Sequence, residues 1–169
     1  MGFREVLVSL NGLKEAGIIQ DYAIGGGYAV TFYDIPILTY DLDVLVILPT
    51  ENDYHRLYEH FRTKGAKIEN VYIFIEDMPV QFLPNYISPL FHSAIEEANI
   101  VEFEDIRSRL VSAEYLVLLL LTSFRPKDKI RIQSLLNKVN RDLLLSLIER
   151  FDDEQKSLYK RYNEVLAGT

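Results

Sequence analysis

The stretch from Ile24 to Leu48, IGGGYAVTFYDIPILTYDLDVLVIL, decides how the chain reads. Gly25, Gly26 and Gly27 follow a short apolar run and precede Tyr28-Ala29-Val30, the pattern of a tight turn that opens a helix. After a loop, Asp41, Asp43, Leu45 and Ile47 alternate with Leu42, Val44 and Val46, the period of a strand. At the rise of an extended chain, the Asp41 and Asp43 side chains leave one face about 6–7 Å apart. Two carboxylates placed so among apolar residues repel each other and resist desolvation unless a cation sits between them. Hard divalent cations take oxygen ligands of this kind.

The glycine turn supplies the complementary half. Its backbone N–H groups, with the positive end of the helix dipole behind them, make a phosphate cradle. It is not a Walker A loop, since no Gly-Lys-Ser/Thr follows, and Val30 stands where a dinucleotide fingerprint needs its third glycine. The bland alternative is an exposed strand end with two ordinary carboxylates, and the apolar residues on both faces weigh against it. A phosphate site beside a carboxylate–metal site points to nucleotide chemistry.

A Gly-Gly pair opening a helix, followed by Asp-apolar-Asp-apolar on a strand, resembles the nucleotidyltransferase superfamily signature. Here the elements are Gly26-Gly27 and Asp41-Leu42-Asp43-Val44, with thirteen residues between Gly27 and Asp41. The run Ile37–Asp43, ILTYDLD, is also similar to the Arg-x-Thr-x-Asp-x-Asp run of the antitoxin and abortive-infection (AbiEii-like) branches. Thr39, Asp41 and Asp43 match it, and Ile37 stands in the arginine's place. The resemblance implies a nucleoside triphosphate held through Mg²⁺ (or Mn²⁺) on Asp41 and Asp43, with phosphates on Gly25, Gly26 and Gly27 and Thr39 beside them. It also implies a third carboxylate from a neighbouring strand. The corresponding strand is Pro79-Val80-Gln81-Phe82-Leu83, and Gln81 occupies the acid's position. An amide hydrogen-bonds or ligates weakly but takes no proton from an attacking hydroxyl; Glu76 or Asp77 nearby is the candidate substitute.

Downstream, Arg125-Pro126-Lys127-Asp128 resembles the Lys-Asp run that follows the core in the AbiEii-like branch. This assigns Lys127 to the nucleotide phosphates as a point charge, Asp128 to anchoring it or capping the helix, and Arg131 to the same face one turn on. The acceptor implied is a tRNA end, a protein hydroxyl or a small molecule. The missing arginine and acid motivate a second reading: a degenerate domain that binds a nucleotide or a partner protein, as in a toxin–antitoxin pair. An α+β interaction module with an incidental carboxylate pair is a third.

Composition narrows the classes. A formal charge of −7 argues against a broad nucleic-acid surface, which needs clustered Lys and Arg. The absence of cysteine rules out disulfides, thiolate–zinc sites and cysteine nucleophiles. His55, His60 and His92 lack metal-ligand spacing, and Tyr28 and Tyr40 are the tyrosines placed to stack on a base. The N-terminus carries charges inside a helical pattern rather than a signal-peptide core. The apolar run from Tyr115 to Leu121 is too short to cross a bilayer, so a cytoplasmic protein without membrane contact is expected.

The expected fold is α+β: a nucleotidyltransferase-like mixed sheet in residues 1–111 and a C-terminal helical segment in 112–169, packed as one unit. The pattern predicts helices over 3–16, 50–64, 88–98, 113–123, 127–138, 141–151 and 153–166, with Gly17 and Gly65 as stops and Ser112 as a cap. It predicts strands at 20–24, 71–75, 79–83, 100–103 and 106–110, the second and third joined through Glu76-Asp77-Met78. The acidic runs at Glu96-Glu97 and Asp152-Asp153-Glu154 read as solvated helix faces.

Overall fold

The computed structural model describes residues 2–34 and 36–168. Met1 and Thr169, the outer ends of the two expected segments, and Ile35, in the loop before the aspartates, lie outside that range. The chain begins with α1 (Phe3–Glu15), whose Val6, Leu7, Leu10 and Leu13 recur at helical spacing and are buried. Gly17, at φ +73°, turns the chain out of it into β1 (Asp21–Ile24). Next come α2 (Gly26–Tyr33), β2 (Leu42–Ile47), α3 (Asp53–Thr63), β3 (Ile68–Glu69), β4 (Tyr72–Ile75) and β5 (Met78–Pro84). A 3-10 turn at Asn85–Ile87 leads to α4 (Pro89–Glu96), β6 (Asn99–Phe103) and β7 (Ile106–Leu110). Four helices then close the chain: α5 (Ala113–Ser123), α6 (Pro126–Leu135), α7 (Arg141–Phe151) and α8 (Ser157–Ala167).

The strands form one mixed sheet in the order β3-β4-β5-β2-β1-β7-β6. β2 is central, antiparallel to β1 and parallel to β5, with Asp43 opposite Gln81 and Val44 opposite Phe82. Directly paired residues share a face. Val44 and Phe82 therefore lie with Ile24 and Tyr22 on the side where Phe61 of α3 stacks on Phe82 at 6.0 Å and Asn11 of α1 receives the Tyr22 hydroxyl at 2.8 Å. Asp43, Leu45 and Gln81 lie on the opposite face, where the Leu45 methyl approaches the glycine turn. Ser112 caps α5, accepting from the Tyr115 N–H, and the helix is buried along Tyr115–Leu118, as its uniform apolarity requires.

Several local expectations need correcting. The β4–β5 hairpin turns on two residues, Glu76 (φ +49°) and Asp77 (φ +66°), so Met78 belongs to the strand and pairs with Ile75. Positive φ at both central positions is the turn whose twist suits a two-residue hairpin. Asp41 lies one residue before β2 rather than within it. Residues 153–156 stay out of α8, because Asp152 and Asp153 act as its cap: Asp152 accepts from the N–H groups of Leu158 (2.8 Å) and Tyr159 (3.1 Å), and Asp153 from Ser157 (2.9 Å). These carboxylates are structural, not a solvated face. Glu97 likewise accepts from the Tyr115 hydroxyl and pairs with Arg150 at 3.6 Å. Asp152→Ala is expected to cost about 1 kcal/mol, the usual worth of a cap. Urea unfolding at neutral pH measures it, and an unchanged midpoint would refute the assignment.

Candidate functional site

β1 ends where β2 begins, since Ile24 pairs with Val44, and the glycine turn therefore folds back over the start of the aspartate strand. The Gly25 N–H donates to the Asp43 carbonyl at 2.9 Å, tying the two together. Gly26 has φ +58°, and a Cβ there would sit 2.1 Å from Asp43 Oδ2. The carboxylate thus occupies the space a side chain would need, and no residue but glycine fits. A Cβ on Gly27 would meet Thr39 Oγ1 at 2.8 Å, while the Thr39 hydroxyl donates to the Asp41 carbonyl at 3.2 Å. Glycine turn, Thr39, Asp41 and Asp43 are one packed unit.

Burial, then the charge of Asp41 and a hydrogen bond shared with it, push the Asp43 carboxyl up to about 6. Arg125 and Arg131 pull it down without cancelling the rise. Such a pair is short of positive charge, and its donors are hard oxygens, which suits a divalent cation. Among the described residues, no third acid or imidazole joins the pair in a group able to hold a metal. Two carboxylates still fit Mg²⁺, which keeps waters and takes substrate phosphates for its remaining positions.

Gln81 stands directly beside Asp43 on β5, and Tyr72 on β4 stands beside Gln81. Tyr72 makes an edge contact with Tyr40, ring centroids 5.8 Å apart. The charge of Asp41, then burial, then the charge of Asp43 raise the Tyr72 phenol above its ordinary value, so it stays protonated. Tyr28 is elsewhere, stacked on Phe3 at 5.4 Å.

At the start of α6, Asp128 is fully buried and its carboxylate is committed. It accepts from the Arg125 N–H (2.8 Å), Arg125 Nε (3.0 Å) and the Ser123 hydroxyl (2.7 Å). Burial raises this carboxyl, but the hydrogen bonds from Arg125 and Ser123 outweigh it and the net direction is down. Asp128 therefore anchors Arg125 and caps α6; it does not hold Lys127, which is exposed. The cations that act on Asp43 are Arg125 and Arg131. Arg125 stood in the run quoted from the sequence but was given no role there, though an acid three positions after it, behind a proline, is a helix-start signal that marks it. Tyr72 was missed too. Counting Glu76-Asp77 as a two-residue turn would have set it opposite Gln81.

Solved structures carry the same architecture. An antigenic nucleotidyltransferase-like protein from Paracoccidioides brasiliensis superposes with a TM-score of 0.60 at 14% identity, over 92% of this chain and 91% of that one. The chain has a nucleotidyltransferase-like fold. The antibiotic-resistance factor ANT(2'')-Ia in solution gives a TM-score of 0.57 at 13% identity over the whole of both chains. Its crystal structure with adenylyl-2''-tobramycin gives 0.55 at 14% identity, over 94% of this chain and 97% of that one. No family model and no curated protein matches the sequence. At these identities the likeness establishes the fold alone.

The raised Asp43 value has a consequence for stability. A carboxyl that ionises less readily in the folded state contributes stability below its ordinary value near 3.8, and this is lost as pH rises through about 6. The loss is at most about 3 kcal/mol. In metal-free buffer, Asp43→Asn is expected to unfold at higher urea than wild type at pH 7.5, with the difference vanishing below pH 4. Equal midpoints at both pH values would contradict the assignment.

Proposed function

We propose that the chain is a metal-dependent nucleotidyltransferase that moves a nucleoside monophosphate from a triphosphate to an acceptor hydroxyl. The observation that carries this is the contact of Gly26 with Asp43, which sets a phosphate-binding turn against an under-neutralised carboxylate pair. Asp41 and Asp43 hold Mg²⁺ or Mn²⁺, and the bound ion supplies charge neutralisation on the transferring group. The N–H groups of Gly26 and Gly27 receive the β- and γ-phosphates at the start of α2, while the Gly25 N–H, committed to the Asp43 carbonyl, is not free for phosphate as expected and instead fixes the turn. Thr39 fixes the loop under the turn. Arg125 and Arg131 offset phosphate charge from α6, with Lys127 as an outer point charge. In this reading residues 112–169 form a helical segment that closes the 1–111 core.

The acceptor oxygen forms a bond to the α-phosphorus, the bond to the β-phosphate oxygen breaks, and pyrophosphate leaves with the electron pair. Gln81 takes no proton, so the hydroxyl proton passes to solvent. ANT(2'')-Ia, crystallised with adenylyl-2''-tobramycin, offers a precedent for a small-molecule acceptor on this fold; a tRNA end or a protein hydroxyl are the other classes. A second reading rests on Gln81 itself: with an amide beside Asp43, the domain binds nucleotide or a toxin–antitoxin partner protein without transfer.

Calorimetric titration of ATP, GTP, CTP and UTP tests the first reading. Binding is expected to require Mg²⁺ and to disappear in Asp41→Ala/Asp43→Ala. A folded wild type that binds none of the four would refute it. Gln81→Glu separates the readings: a restored base is worth about 10²–10⁴-fold in rate. Labelled transfer or nucleotide hydrolysis that rises in this variant marks a weak enzyme. No turnover in either form, with binding intact, favours the binding module.

A further inference from the structure

Resting on that reading, we infer that the acceptor is held over β5 and β4 with Tyr72 and Tyr40 as walls for a flat ring. It is therefore a hydroxyl compound that carries a flat ring.

The side of approach follows from the sheet order. The glycine turn continues β1, which flanks β2 on one side, while β5 flanks it on the other. Pyrophosphate leaving from the turn lies on the β1 side of Asp43. In an in-line displacement the attacking oxygen enters opposite the leaving one, hence from the β5 side. Gln81 and then Tyr72 stand there in register with Asp43, on the same face of the sheet.

The chemistry of that side selects the ligand. Tyr40 is 67% exposed, and its ring meets Tyr72 at 80°, so two aromatic surfaces form a corner beside the carboxylates. Among the described residues, neither hydroxyl has a hydrogen-bond partner. A flat ring fits one wall by stacking and meets the other edge-on. The Gln81 amide both donates and accepts, which suits a hydroxyl. The Tyr72 hydroxyl adds a donor.

The test uses the full chain loaded with Mg²⁺ and saturating α,β-methylene-ATP, which cannot transfer, and titrates adenosine and tobramycin as second ligands by calorimetry. Adenosine is expected to bind, at least tenfold more weakly in Tyr72→Ala and in Tyr40→Ala, and within threefold of wild type in Tyr72→Phe. Tobramycin is expected to give no heat. Because Tyr40 is exposed, its variant remains informative if Tyr72→Ala fails to fold. Tobramycin binding as tightly as adenosine, adenosine not binding, or adenosine binding unaffected in the alanine variants overturns the inference. So does a loss in both alanine variants of ATP affinity but not tripolyphosphate affinity, which would give the rings to the nucleotide's own base. If the analogue itself does not bind, the transferase reading falls and takes this inference with it; if it binds and adenosine does not, this inference falls alone.

Discussion

A like-charge pair held partly out of water is the constraint around which the molecule is arranged. Asp41 and Asp43 stay together because the chain allows them nowhere else: Asp43 is fixed by its strand partners on both sides, and its carboxylate lies in the space of the missing Gly26 side chain. Backbone hydrogen bonds and packing hold this arrangement against repulsion, and the raised Asp43 carboxyl is the visible cost. Arg125 and Arg131 recover part of it from a helix more than eighty residues away in sequence. A pair that tolerates this repulsion has the charge and the hard oxygen donors that a divalent cation requires.

The site also departs from the pattern it resembles, in a physically coherent way. Ile37, in the arginine's place, is half-buried, and its Cδ1 would lie 3.5 Å from a Cβ on Gly27. An apolar side chain there packs under the glycine turn, so positive charge enters by another route. Arg125 supplies it, and Asp128 makes that supply rigid: a buried carboxylate holding the guanidinium through Nε and Nη2 leaves it little rotamer freedom.

Much of this was legible in the sequence, for stated reasons. The α+β class and nearly all of the longer elements follow from periodicity and caps; the place of Gln81 came from the family resemblance, and the sheet pairs it with Asp43. The β4–β5 register was not legible, because Glu76-Asp77-Met78 reads equally well as a three-residue loop. One residue of slip would move Tyr72 to the other face, and with it the wall beside the carboxylates. The roles of Asp128, Asp152 and Asp153 were partly hidden for a different reason. Whether an acid near a helix start faces solvent or turns back to the backbone depends on dihedral angles, not composition; at Lys156 the chain takes φ +57° to bring the caps under α8.

The sheet is not equally secured along its width. β2 and β5 are joined over five paired positions, but β7 meets β1 at a single pair, Ile24 with Leu110, and the Val111 N–H adds one bond to the Ile24 carbonyl at 2.9 Å. The β6–β7 hairpin is thus attached chiefly by side chains, through the Phe3–Phe103 contact at 4.7 Å and the Ser108–Tyr22 hydrogen bond at 2.9 Å. An edge with so few ladder bonds is the part of the sheet expected to open first, held back by the Arg109–Asp21 ion pair and the Asn11–Arg107 hydrogen bond. Ile24, which carries the one ladder pair, is also the residue before Gly25, so an opening of that edge would loosen one anchor of the glycine turn.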